Sequence, residues 1–285
     1  MSDVFTGAQR LLERILERDH DQVGEAGRTL ALIHAARTAR SAVLFHGLSA
    51  SPMQFVQIAR GLHERGYNVI VPRLPRHGYA DRMSDAQATM RADDLKATAL
   101  AALEAARGLG ERVTVAGFSL GGLLAAWAAQ TQEIEHAVPI APFLGIAFVP
   151  SRFGANLTRA ALYLPNVFNW WDPVLREKQM PAHGYPRYAT HALAQAMLLS
   201  HELFEAAATA PPKARSIMLV TNSHEAAVNN RAARKLAGLW HASKSSGFET
   251  YQFTDLPISH DIIEPLHHPE IVEKVYPILI ELLDR

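Results

Sequence analysis

Residues 113–122 read Val113-Thr114-Val115-Ala116-Gly117-Phe118-Ser119-Leu120-Gly121-Gly122. A short apolar, β-branched run ends at Gly117, and the helix formers from Leu120 to Gln130 begin almost at once. This predicts a strand that turns sharply into a helix at Ser119. Such a junction strains the backbone of the central residue. Glycines two positions before and after it leave room for close approach of the neighbouring chain. The Ser119 hydroxyl then stands at the strand-end edge of a sheet and at a helix N-terminus, where developing negative charge is favoured. Ser119 is the candidate nucleophile.

Outward from this turn the chain alternates between two kinds of segment. Ala42 to Phe45, Tyr67 to Val71, Arg112 to Ala116, Ala137 to Ile140, Ser216 to Val220 and Thr250 to Phe253 read as short buried strands. Pro52 to Arg65, Ser84 to Leu109, Leu120 to Gln130, Asn229 to His241 and Pro269 to Leu283 carry helical spacing, as do Leu11, Leu12, Ile15 and Leu16 near the start. The expected fold class is α/β, a mostly parallel sheet with helices on both faces and right-handed crossovers. The rhythm breaks after Pro142, and residues 143–212 show prolines, Trp170-Trp171 and helix-like pieces without a clear strand. The chain therefore divides into a first core part (1–142), an inserted lid or cap (143–212) and a second core part (213–285).

Composition excludes several classes of function. Lys plus Arg and Asp plus Glu each number 28, so no basic excess points to nucleic acid. With no cysteine, disulfides, thiolate metal sites and cysteine nucleophiles are ruled out, and a reducing compartment fits. The first residues, MSDVFTGAQRLLERILERDHD, are charged and lack the apolar core of a signal peptide, so a cytoplasmic location is expected. No run reaches the apolar length of a membrane span. His183, His191 and His201 lack tight ligand spacing and His201-Glu202 lacks a second histidine, so no metal is expected.

A serine becomes a useful nucleophile when a base takes its proton. Among fourteen histidines, His260 follows the strand Thr250 to Phe253, on the edge where Ser119 should sit. His241, His267 and His268 are the weaker candidates. The acid that fixes the imidazole should follow the strand Ser216 to Val220. Glu225 is the only carboxylate in Thr221 to Val228, with Asp172 and Asp255 as substitutes elsewhere. The expected oxyanion donors are the backbone N–H of Leu120 and that of Leu48, in the loop His46-Gly47-Leu48-Ser49-Ala50-Ser51-Pro52. His46 reads as a structural residue of that loop. Phe143, Trp170 and Trp171 are candidates for lining a substrate pocket, or else belong to the lid's own core.

Taken together, LFHGLSASPMQF (44–55), VPRLPRHGY (71–79), VTVAGFSLGG (113–122) and SHD (259–261) resemble the α/β-hydrolase superfamily, on the branch of bacterial carboxylesterases and monoacylglycerol lipases. The resemblance runs from about Ser41 to the C-terminus. It implies an acyl-serine mechanism, a lid over an acyl pocket, no cofactor, and a small-molecule ester as partner. The sequence departs from the pattern at Glu225, where most relatives carry Asp, and before Ala42, where only Leu30 to Ile33 suggests an early strand. Cleavage of an amide, thioester or carbon–carbon bond on the same residues remains an alternative, as does a non-catalytic binding module.

Overall fold

The computed structural model of the chain describes residues 2–146, 155–243, 247–266 and 269–285. The N-terminal helix α1 (Ser2–Leu16) is followed by strands β1 (Leu30–Leu32) and β2 (Thr38–Phe45), then helix α2 (Val56–Glu64) and strand β3 (Tyr67–Val71). Next come α3 (Ala92–Leu109), β4 (Gly110–Phe118), α4 (Leu120–Thr131) and β5 (His136–Ile140). The insertion contributes α5 (Ala155–Ala161), β6 (Phe168–Trp170), β7 (Arg187–Ala189) and α6 (Thr190–Thr209). The chain closes with β8 (Ser216–Asn222), α7 (Asn230–Ala242), β9 (Phe248–Phe253) and α8 (Pro269–Leu283).

Seven strands form one sheet in the order β1-β3-β2-β4-β5-β8-β9, parallel except for β1, which runs antiparallel to β3. Both faces are covered, which explains why the inner strands read as near-continuous apolar runs. Successive side chains on a strand point to opposite faces. Accordingly Val43, Phe45, Val115, Ile217 and Leu219 pack with α1, α3, α4, α6 and α7, whereas Ala42, Leu44, Ala116, Met218 and Val220 pack with α2 and α8. The leading helix joins the first layer through buried Ala8, Leu12 and Ile15.

The structure differs from the sequence reading at two places. The expected helix from Ser84 is instead a 3-10 turn at Ala86–Thr89, an extended Met90 and Arg91, and then α3. Met90 is buried in the core, and the Ala92 N–H donates to the side chain of Gln195 on α6. A partner 103 residues away thus satisfies the helix start, and no local pattern shows it. The insertion also holds a two-stranded antiparallel sheet, with Phe168 opposite Ala189 and Trp170 opposite Arg187. Each of its strands has three residues, too few for a period of two to stand out.

The turn from β4 into α4 is tightly enclosed. A Cβ on Gly121 would lie 1.9 Å from the Phe45 carbonyl oxygen and 2.7 Å from that of His46, and one on Gly117 would lie 2.1 Å from the Gly121 oxygen. These are backbone atoms, which cannot rotate away as a flexible side chain could. Gly121→Ala is expected to cost at least about 3 kcal/mol, at the upper end for overpacking. Urea unfolding of the variant measures this, and a loss below about 1 kcal/mol would show that the turn can relax.

Candidate active site

Strands β2, β4, β8 and β9 are parallel, so the loops that follow them open on the same edge of the sheet. Ser119 sits at the β4–α4 turn with φ 54° and ψ −110°, a region that non-glycine residues seldom enter. Three main-chain bonds hold it there: its N–H donates to Ile140 O, and its carbonyl accepts from Leu123 N–H and Phe143 N–H. The side chain is buried enough to be shielded from bulk water yet faces His260.

A hydrogen-bond chain links residues from three separate loops. Ser119 Oγ lies 2.8 Å from His260 Nε2, and His260 Nδ1 lies 2.9 Å from Glu225 Oε2. Read as donors, the serine hydroxyl gives to Nε2 and the Nδ1–H gives to the carboxylate. Phe118 packs against the His260 ring with centroids 4.9 Å apart. The Glu225 side chain is only 1% exposed. Burial pushes its carboxyl up, but the hydrogen bond and charge of His260, with the N–H groups of Ala227 and Val228, outweigh this and hold it below the usual range. One carboxylate oxygen thus fastens its own turn and the other faces the imidazole.

The remaining candidates lie elsewhere. Asp172 folds back on the N–H groups of Val174 and Leu175 within the insertion, and exposed Asp255 pairs with Lys274. His241 lies in the last turn of α7, and His267 and His268 lie outside the described residues. Among the described residues, no three His, Asp or Glu side chains gather as metal ligands.

The loop after β2 carries the second half of the site. Among the described residues, the N–H groups of Leu48 and Leu120 have no protein acceptor, whereas that of Gly47 donates to Gln54 Oε1. Fully buried His46 spans the loop base: Nδ1–H donates to Gly47 O and Nε2 accepts the Leu74 N–H, which fits the structural role read for it. Phe143 is buried, and its main-chain N–H donates to the Ser119 carbonyl, whereas Trp170 lies in β6 and Trp171, 41% exposed, packs at a tilt against Tyr188.

Two positioning side chains escaped the sequence reading. Gln54 is one. The other is buried Asn222, whose amide donates to Ser259 O while its Oδ1 accepts the His224 N–H, tying the Glu225 loop to the His260 loop. The only local signal was an amide at the end of a strand whose centre, Ile217 to Val220, is apolar.

The sequence model of the alpha/beta hydrolase family matches residues 42–257, and the chain belongs to that family. No curated protein sequence matches the chain. Among solved structures it is similar to one from a study of the metagenome-derived lipolytic enzymes LipS and LipT (17% identity, TM-score 0.67, covering 91% of this chain and 99% of that one). It is also similar to the monoacylglycerol lipase of Paleococcus ferrophilus (18% identity, TM-score 0.63, 89% and 98%). A third similar structure is the enol-lactonase of Burkholderia xenovorans LB400 (16% identity, TM-score 0.58, 90% and 96%). At these identities the likeness establishes a shared fold. No helix among the described residues is long and apolar enough to cross a membrane.

The buried histidines give the fold a pH dependence. Burial pushes His46 well below its ordinary range and His77 down to about 4, and it lowers His136 as well. Because their folded-state values are depressed, the unfolded chain binds more protons below about pH 6.5. Their stabilising contribution is complete above that value and is lost as pH falls toward 4. His77 alone accounts for on the order of 3 kcal/mol. Asp261, raised to about 6 by burial and by the charge of Glu264, acts in the opposite sense, while His201, lowered by burial, adds to the histidine effect. The urea midpoint should therefore stay level above about pH 7 and decline toward pH 4. His77→Asn should flatten that decline, and an unchanged slope would mean that His77 does not contribute.

Proposed function

We propose that this chain is a serine hydrolase of carboxylic esters, with Ser119 as nucleophile, His260 as general base and acid, and Glu225 as the acid that orients the imidazole. The observation that carries this reading is the unbroken hydrogen-bond chain from Ser119 Oγ through His260 to Glu225 Oε2. The proton on Oγ passes to His260 Nε2 as Oγ attacks the ester carbonyl. Ionised Glu225 stabilises the imidazolium that results. The N–H groups of Leu48 and Leu120 receive the oxyanion. His260 then protonates the departing alcohol, leaving an acyl-serine, and water deprotonated by the same imidazole releases the acid. The scheme draws on no cofactor.

An ester is favoured over other acyl compounds by the similarity to structures described as lipolytic enzymes and a monoacylglycerol lipase. We assign the lid role to residues 143–212 and the apolar acyl contacts to Phe143, Trp170 and Trp171. Phe143, bonded to the Ser119 carbonyl, is the most direct of these. The cytoplasm is the expected location.

Turnover of p-nitrophenyl esters by folded variants tests the scheme. Ser119→Ala should lose on the order of a million-fold in kcat and all labelling by a fluorophosphonate. Glu225→Gln should lose roughly a thousand- to ten-thousand-fold, and Glu225→Asp should recover part of that. Near-normal turnover by Glu225→Gln would move the acid elsewhere.

Acyl length tests the pocket. Medium-chain esters should show higher kcat/KM than acetate, and a profile that favours acetate would remove the apolar acyl site.

A further inference from the structure

Ser49, one residue past the Leu48 donor, is fully buried and adopts φ +65°. A serine in that left-handed region is strained and persists only where its surroundings over-determine it. Those surroundings come largely from the insertion. The Ser49 carbonyl accepts the Tyr185 N–H at 2.7 Å, and the Ser49 hydroxyl donates to the Arg187 carbonyl at 3.4 Å while accepting from Gln87 Nε2. Two residues further on, Ser51 Oγ donates to Ala26 O and lies 3.1 Å from His183 Nδ1. On the other side of the ring, His183 Nε2 is buried without a hydrogen bond, 3.5 Å from the Glu264 carboxylate, and both side chains are at most 5% exposed. Glu264 lies four residues after His260. One imidazole of the insertion therefore touches both the loop that carries Leu48 and the loop that carries His260.

This segment is itself anchored to the core. The Arg82 guanidinium donates to the carbonyls of Gly184, Gln179 and Met180. The Tyr185 phenol oxygen accepts the Tyr79 N–H at 2.9 Å. Arg187 reaches Met83 O and Asp85. A covering element that swings as one body would have to break all of these contacts together.

We propose that residues 183–187 are a fixed brace that sets the oxyanion loop, with His183 and Tyr185 as positioning residues for the Leu48 N–H. The proposal rests on the reading of Ser119 and Leu48 given above. The part of the insertion over the oxyanion loop stays in place through turnover, and substrate enters past other parts of it.

The experiment compares wild type with His183→Ala, His183→Asn, Ser51→Ala and Tyr185→Phe on p-nitrophenyl butyrate, with circular dichroism to confirm folding. Complete loss of an oxyanion donor costs about a hundred- to a thousand-fold in kcat. Displacing one should cost roughly ten- to a hundred-fold, with KM changed by less than about three-fold. Inhibition by phenylboronic acid, whose tetrahedral serine adduct places an oxygen in the same site, should weaken by a similar factor. His183→Asn retains an N–H donor toward Ser51 and should recover part of kcat. Ser51→Ala removes the same contact from the other side and stands in if His183→Ala does not fold. The double variant should lose less than the product of the two single losses.

Folded variants with wild-type kcat would overturn the brace, as would a rise in KM alone or a lower melting temperature with unchanged kcat. If wild type itself took no fluorophosphonate label, the reading of Ser119 would fall first. That outcome is distinct from a labelled wild type whose brace variants lose nothing.

Discussion

The strained turn at Ser119 depends on a steric condition. The β4–α4 junction brings the helix so close to β2 that only a hydrogen fits between the Gly121 Cα and the Phe45 carbonyl. That proximity places the first turn of α4 against the sheet edge and forces the Ser119 backbone to φ 54°. The conformation is stabilised by main-chain bonds to Ile140, Leu123 and Phe143. The serine is thus held by β5 and the start of the insertion as well as by its own helix. Its hydroxyl is thereby held facing His260.

The other site residues approach this point because of strand order. With β4 near the middle and β5, β8 and β9 following on one side, the loops after β8 and β9 reach toward Ser119 from the same direction. Asn222 then locks these two loops together through Ser259 and His224. On the other side of β4, the loop after β2 is held by His46, Gln54 and the insertion. The two carboxylate oxygens of Glu225 have separate partners. Oε1 accepts the N–H groups of Ala227 and Val228, and Oε2 meets the imidazole. The carboxylate is oriented by its own turn before His260 is considered.

The polar groups around the site repeat this pattern of mutual constraint. His46, His77 and Gln87 are fully or almost fully buried, and each engages a polar atom of the chain or a neighbouring side chain. Removing one partner would leave another polar atom buried without a bond, the costly case for hydrogen bonding in a core. The loop after β2 is therefore held by polar contacts as well as by apolar packing.

Much of this was legible in the amino-acid order because it is local or periodic. Gly117-x-Ser119-x-Gly121 between an apolar run and a helix identifies the turn, since only glycine tolerates such close backbone contact. The alternation of short apolar runs with amphipathic stretches specifies a parallel sheet covered on both sides, because both faces of each central strand must be apolar. Loop order after the strands singled out His260 and Glu225. What only the tertiary structure decided involves partners distant in sequence. Gln195 satisfies the start of α3 from 103 residues away, and Asn222 fastens two loops. His183 and Tyr185 reach the loop after β2, more than a hundred residues before them. Three-residue strands and single side-chain hydrogen bonds leave no period in the sequence. Their partners become neighbours only after the sheet has assembled and its strand order has brought the loops to one edge.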